Sequence, residues 1–282
     1  MNNRLSRWLL IFLTCMPSAG STHAFAETLP KELIGQWQVQ EVHTNTASGR
    51  TSQYAWNDPR LRWRIFNFKN KVVENNTYDF YDDCKKPSIR SIDTTFRDAM
   101  LRSIGGYDYP PHENANPVSD YRLITDAKKP VRVFSLSCGK DLWQGDLGVS
   151  YPELGKLAIR GAWMAFTSDD RLYLRWRDET VLLLNKITKD APEKASFDCA
   201  KASNSTEREI CSSRELSGFD RSISDAYMRL LNQTQDAGEN EKIIADDQHK
   251  WIKKRNTCNS DKKCILSLMK FRLQFLVDQS RT

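Results

Sequence analysis

Two periodicities divide this chain. Between residues 33 and 187 apolar positions recur every second residue in short runs, whereas beyond residue 196 they recur every third or fourth. The first pattern predicts half-buried strands, and the second predicts helices with one apolar face. Residues 34–42 alternate with Trp37, Val39 and Glu41 on one face, and residues 62–68 alternate more strictly. Residues 132–138, 162–168, 171–176 and 180–184 supply four further runs, with Asp169-Asp170 as the turn of a hairpin. Residues 95–104 predict a short helix. Gly105, Gly106, Pro110 and Pro111 then break the chain into a loop that carries His112. Short strands in succession predict a barrel or a sandwich.

The helical part starts after a polar stretch at 189–195 that contains Pro192 and reads as a linker. Thr206-x-x-Glu209 reads as a capping box. Phe219, Ile223, Ala226, Tyr227 and Leu230 form one apolar stripe. Ile244, Gln248, Trp251, Ile252 and Arg255 form the next, beyond a turn at 236–240. Cys264, Ile265, Leu268, Phe271, Phe275 and Leu276 form the last, with Ser260 or Asp261 as its cap. Three to four helices of this kind pack as a small bundle. The chain therefore reads as α+β with two domains: an antiparallel β domain over 27–188 and a helical domain over 196–282.

Residues 1–26 read as a signal peptide: Arg4 and Arg7 precede a short apolar core, and cleavage is expected after Ala26. Cys15 offers a lipoprotein anchor instead, but Phe12-Leu13-Thr14 is a poor acylation signal. A periplasmic or secreted protein is the preferred reading. No other stretch is apolar enough to span a bilayer. Export changes what the cysteines mean. Setting Cys15 aside leaves Cys84, Cys138, Cys199, Cys211, Cys258 and Cys264, an even set expected to form disulfides. Six cysteines allow 15 pairings. Locality favours Cys84–Cys138, Cys199–Cys211 and Cys258–Cys264. Their spacings do not suit zinc, so no metal or other cofactor is expected. The net charge of +6 falls to +4 without Arg4 and Arg7, too mild for nucleic acid.

The order of four cysteines behind residue 196, with Gln248-x-x-Trp251-x-x-x-Arg255 before the third, resembles the LprI-type lysozyme-inhibitor family. The resemblance covers roughly the last third of the chain. It implies a small, secreted, mostly helical module of bacterial envelopes whose partner is a protein, lysozyme among the candidates. Gly35-Gln36-Trp37 resembles the Gly-x-Trp that opens lipocalin-like barrels. That resemblance implies an Arg packed over Trp37, with Arg175 or Arg177 in the role, and a barrel able to hold a small apolar ligand. Trp37 as an ordinary core aromatic is the alternative.

The sequence carries none of the common enzyme signatures. Only His43, His112 and His249 follow the leader, and there is no Gly-x-Ser-x-Gly elbow, His-Glu-x-x-His or phosphate loop. Asp82-Asp83 and Asp169-Asp170 are paired acids in turn-like contexts, where Asp is common. The expectation is a non-catalytic binding protein of the envelope, lysozyme-inhibitor type. The alternatives are a small-ligand carrier or sensor with a helical docking module, and an adaptor for peptidoglycan or an exported toxin. A disulfide-closed loop offers Lys262 and Lys263 to a catalytic cleft, a stapled helix start with solvated lysines being the alternative, and 83–88 forms a second element, anchored on one side by Cys84. A protein at +4 gains no long-range steering toward a basic lysozyme. The acidic stretch 198–247, with eleven acidic against six basic residues, would then make the contact through Glu207, Glu215 and Asp225.

Overall fold

The computed structural model describes residues 28–45, 52–78, 83–105, 107, 111–144, 157–168 and 170–280. The expected leader with its cleavage point at Ala26, together with Cys15, Asp82 and Asp169, lies outside the described residues. Among the described residues no helix is long and apolar enough to cross a membrane.

Among the described residues, ten antiparallel strands form one sheet: β1 Gly35–His43, β2 Ile65–Lys69, β3 Val72–Asn75, β4 Cys84–Lys85, β5 Pro87–Thr95, β6 Pro130–Cys138, β7 Asp141–Leu142, β8 Trp163–Ser168, β9 Arg171–Arg175 and β10 Val181–Lys186. Their spatial order is β4-β3-β2-β1-β10-β9-β8-β6-β5, with β7 beside β6. The two ends of this order are neighbours in sequence, separated by Lys86 alone. Lys86 takes a left-handed backbone (φ 51°), donates its N–H to Lys71 O and accepts at its own carbonyl from Gly139 N. The Cys84–Cys138 disulfide fastens the same corner. No ladder joins β3 or β4 to β5 or β6 among the described residues. The closed lipocalin-like barrel expected from Gly35-Gln36-Trp37 is therefore a curled half-barrel, tied at one corner.

One face of the sheet collects Trp37, Val39, Phe66, Phe68, Leu136, Leu174 and Leu184 from both ends of the strand order, so it is the inside of the curl. Trp176 meets Phe66 and Trp143 edge-on at 5.0 and 5.1 Å, and these rings fill the inside. The other face of β6, β8, β9 and β10 presents Val133, Trp163, Ala165, Tyr173 and Leu183. They are covered by α1 (Phe96–Leu101), α2 (Pro117–Asp120) and flanking segments. Strands buried on both sides read as near-continuous apolar runs, as 181–184 does.

Two register details depart from strict alternation. A bulge between Val39 and Glu41 brings Val42, not Glu41, onto the inner face. Trp63 has φ 66°, uncommon for a bulky residue, so the chain bends just before β2 begins at Ile65, while Trp63 N–H still donates to Val39 O and Arg64 O accepts from Val39 N.

The bundle contains α3 (Ser205–Ser212), α4 (Arg214–Asp236), α5 (Glu241–Asn256) and α6 (Lys262–Gln279) around a core of their own. Cys199–Cys211 and Cys258–Cys264 are both formed. The cap of α3 is Asn204, which accepts from Glu207 N, rather than Thr206. Thr206 is buried and its hydroxyl instead meets the carbonyls of Asn256 and Asn259. Asp261 caps α6.

Sheet and bundle meet where residues 62–64 lie on α4. The Arg64 guanidinium stacks on Phe219 at 3.6 Å, donates to Ser222 Oγ at 2.7 Å and is fully buried. Burial pulls its pKa down to about 9, against the field of Glu215, which raises it. Trp63 Nε1 donates to Asp225 Oδ2 at 2.8 Å, and Arg62 pairs with the same oxygen at 3.2 Å. Gly218 allows this approach: a Cβ there would stand 2.8 Å from Trp63 O.

Candidate functional site

The residues of Gln248-x-x-Trp251-x-x-x-Arg255 share one side of α5, as spacings of three and four require. Gln248 Oε1 accepts from Arg272 Nε and Nη2 on α6, at 3.0 and 2.7 Å. The Trp251 ring has the Arg255 and Arg272 guanidinium carbons within 5.4 and 5.7 Å of its centroid. Arg255 Nη1 donates to Asp220 Oδ1 on α4 at 3.2 Å, and both side chains are almost wholly buried. Asp220 Oδ2 also accepts from the Ser196 N–H and hydroxyl. The motif is thus a clamp joining α5 to α4, to α6 and to the chain entering the bundle. Burial lowers the Arg255 pKa, opposed by Asp220 and Glu207.

Beside this clamp lies a groove of about 360 Å³. Phe197, Ile223, Tyr227, Trp251 and Ile252 give it apolar and aromatic walls, and Glu207, Gln248 and His249 give it polar edges. Asp220 and Arg255 neutralise one another at its floor. Glu207 is positioned by the first turn of α3: its N–H is taken by the Asn204 cap, and Oε2 accepts from Ser203 N and Oγ at 2.7 and 2.9 Å. Burial acts to raise the pKa of the Glu207 carboxyl. The hydrogen bonds from Ser203 and Asn204 outweigh it and hold the group below its usual range. The groove therefore carries a carboxylate that stays ionised at neutral pH.

Of the three acidic residues expected at a partner surface, Glu207 alone lies on this groove. Glu215 is 3.4 Å from Lys262, so two expected contact residues pair with each other. Asp225 is engaged by Arg62 and Trp63 at the seam. Lys263 is exposed, with its backbone N–H taken by the Asp261 cap. Gly35 has φ 126° at the start of β1. Trp37 donates to Leu33 O at 2.8 Å, and the cation over its ring is Lys186, at 5.3 Å. Arg175 cannot take that place. It alternates with Leu174, points to the opposite face with Tyr173, and donates to Ser103 O. Phe197, Ile252 and His249 were not anticipated as groove residues. Helical spacing assigns Ile252 to a core stripe, leaves Phe197 outside every stripe, and carries no signal for a concavity.

No group of three or more His, Cys, Asp or Glu able to hold a metal ion occurs among the described residues. No family model, curated protein or solved structure matches the chain. The LprI-type and lipocalin-like resemblances rest on the quoted residues alone.

Proposed function

We propose that this is an exported, non-catalytic recognition protein whose bundle groove receives a basic side chain of a protein partner. The observation that carries the reading is Glu207. It is an ionised carboxylate on the groove that Tyr227 and Trp251 also line, with no ion-pair partner among the described residues. Aromatic walls suit the aliphatic stem and cationic head of Lys or Arg, and the carboxylate suits its N–H donors. Two disulfides and the Asp220–Arg255 clamp hold these walls in place before binding, which reduces the ordering cost. Three formed disulfides support an oxidising compartment. The LprI-type resemblance narrows the partner to lysozyme, a strongly basic enzyme. The small-ligand carrier finds less support, because aromatic side chains fill the inside of the curl.

The test is wall lysis by a basic lysozyme with increasing amounts of the purified protein, wild type and Glu207→Gln. Lysis is expected to fall with wild type. The variant should need about tenfold more protein, the worth of one charge-assisted hydrogen bond. Unchanged lysis at excess wild type rules out lysozyme inhibition. Inhibition that Glu207→Gln leaves intact rules out the groove.

A further inference from the structure

A second concavity of about 290 Å³ opens at the seam, between β1 and β10 of the sheet, the start of α4 and the linker. Its charged lining is one-sided: Lys186, Lys194, Arg214 and Arg221 stand against Glu193 alone. Glu193 is spoken for, since Arg214 Nε donates to it at 2.8 Å and Arg214 Nη2 donates to Ala191 O. Arg221 is different. Its guanidinium carbon lies 3.2 Å from the centre of the Trp63 ring, so the stack fixes the plane of its N–H donors. Among the described residues it makes no side-chain hydrogen bond and no salt bridge. The carboxylate whose field reaches it, Asp225, is held by Arg62 and Trp63. The N-terminal end of the 23-residue helix α4 adds its positive dipole to the same wall.

A half-buried guanidinium with its plane fixed and its donors unused, in a cleft with Lys194 and with Lys186, whose ammonium also donates to Glu32 O, is built to meet an anion. We propose that the seam cleft binds a small ligand through an oxyanion group, phosphate or carboxylate, with Arg221 as the bidentate anchor. Lys194 closes on the anion from the linker, and Lys186 adds its field from the sheet. The cleft volume suits a compact metabolite rather than a polymer or a folded partner. Because the ligand touches β10, the linker and α4 together, its binding ties sheet to bundle and stabilises the folded chain by mass action. This site is separate from the Glu207 groove and of opposite charge, so either can fail without the other.

The experiment uses the full chain. Thermal midpoint and calorimetric binding are measured with inorganic phosphate and with citrate, each against sodium chloride at equal ionic strength. The expected result is saturable binding and a raised midpoint with at least one of the two, which also tells phosphate from carboxylate. Arg221→Gln should weaken binding about tenfold and Lys194→Gln about threefold. Lys253→Gln, which removes the same charge from an exposed site on α5, should leave binding unchanged. Should Arg221→Gln fail to fold, Lys194→Gln against Lys253→Gln decides, since Lys194 is exposed and outside the seam packing. The proposal is overturned if neither anion does more than chloride, or if all three variants weaken binding alike, as diffuse surface charge would.

Discussion

Replacing Asp220 by Ala would remove one half of the buried ion pair that joins α4 to α5. The Asp220 and Arg255 side chains are 6% and 5% exposed, so water cannot take over solvation of the arginine that remains. Deleting one partner of such a pair costs about 3–5 kcal/mol, chiefly the penalty of the uncompensated charge. The Ser196 N–H and hydroxyl would lose their acceptor as well, which puts the cost at the upper end of that range. Replacing both partners, Asp220→Leu with Arg255→Met, removes the charge along with its mate and should cost much less than the single change. Urea unfolding followed by far-ultraviolet circular dichroism and by tryptophan fluorescence, with disulfides intact, would measure both variants. A loss below about 1 kcal/mol for Asp220→Ala, the range of a solvent-exposed pair, would refute the clamp. So would a double variant as unstable as the single one.

Further outcomes follow from the same contacts. Burial holds the His43 imidazole below its ordinary 6.5, although the Tyr121 carbonyl and Glu41 act to raise it. The unfolded chain therefore takes up this proton first, and stability falls as pH drops below about 6.5, by at most about 1.4 kcal/mol per pH unit. His43→Gln should flatten that slope in pH-dependent urea titrations, and an unchanged slope would assign it to other groups. Gly218→Ala forces a methyl against Trp63 O and should cost about 1–3 kcal/mol by thermal unfolding, whereas a neutral result would mean the seam is loose. Removing Cys84–Cys138, which spans 54 residues, should cost about 4 kcal/mol on chain-entropy grounds. Removing Cys258–Cys264, which spans 6, should cost about 2. Denaturation of the two double Ala variants gives the ordering, and a reversed ordering would contradict the local role of the second bridge.

The strands with apolar alternation, β1, β6, β8, β9 and β10, were legible because each buries at least one face. So were helices α3 to α6, read as three to four, and the pairing of the six cysteines, the latter from proximity alone. β5 was not, since Pro87–Thr95 buries only Pro87 and Ile89 and is otherwise the polar edge of the sheet. The two-residue strands β4 and β7 are too short to carry a period. Curl and closure depend on where Lys86 turns, and a single left-handed residue leaves no pattern. The seam was hidden for another reason: Arg62, Trp63 and Arg64 look like the polar and apolar steps of a strand, and only the bend at Trp63 turns them toward α4. The family-like motif was visible, but its role as a clamp was not. Its partners, Asp220 and Arg272, lie 35 residues before Arg255 and 24 after Gln248.

The central claim is that recognition takes place in the groove beside Glu207. Hydrogen–deuterium exchange of the full chain, alone and with saturating basic lysozyme, tests it most directly. Slowed exchange in α3 near Glu207 and in α5 around residues 248–252, with the sheet unchanged, is the predicted result. Protection confined to the exposed face of α6, or no protection at all, would contradict it.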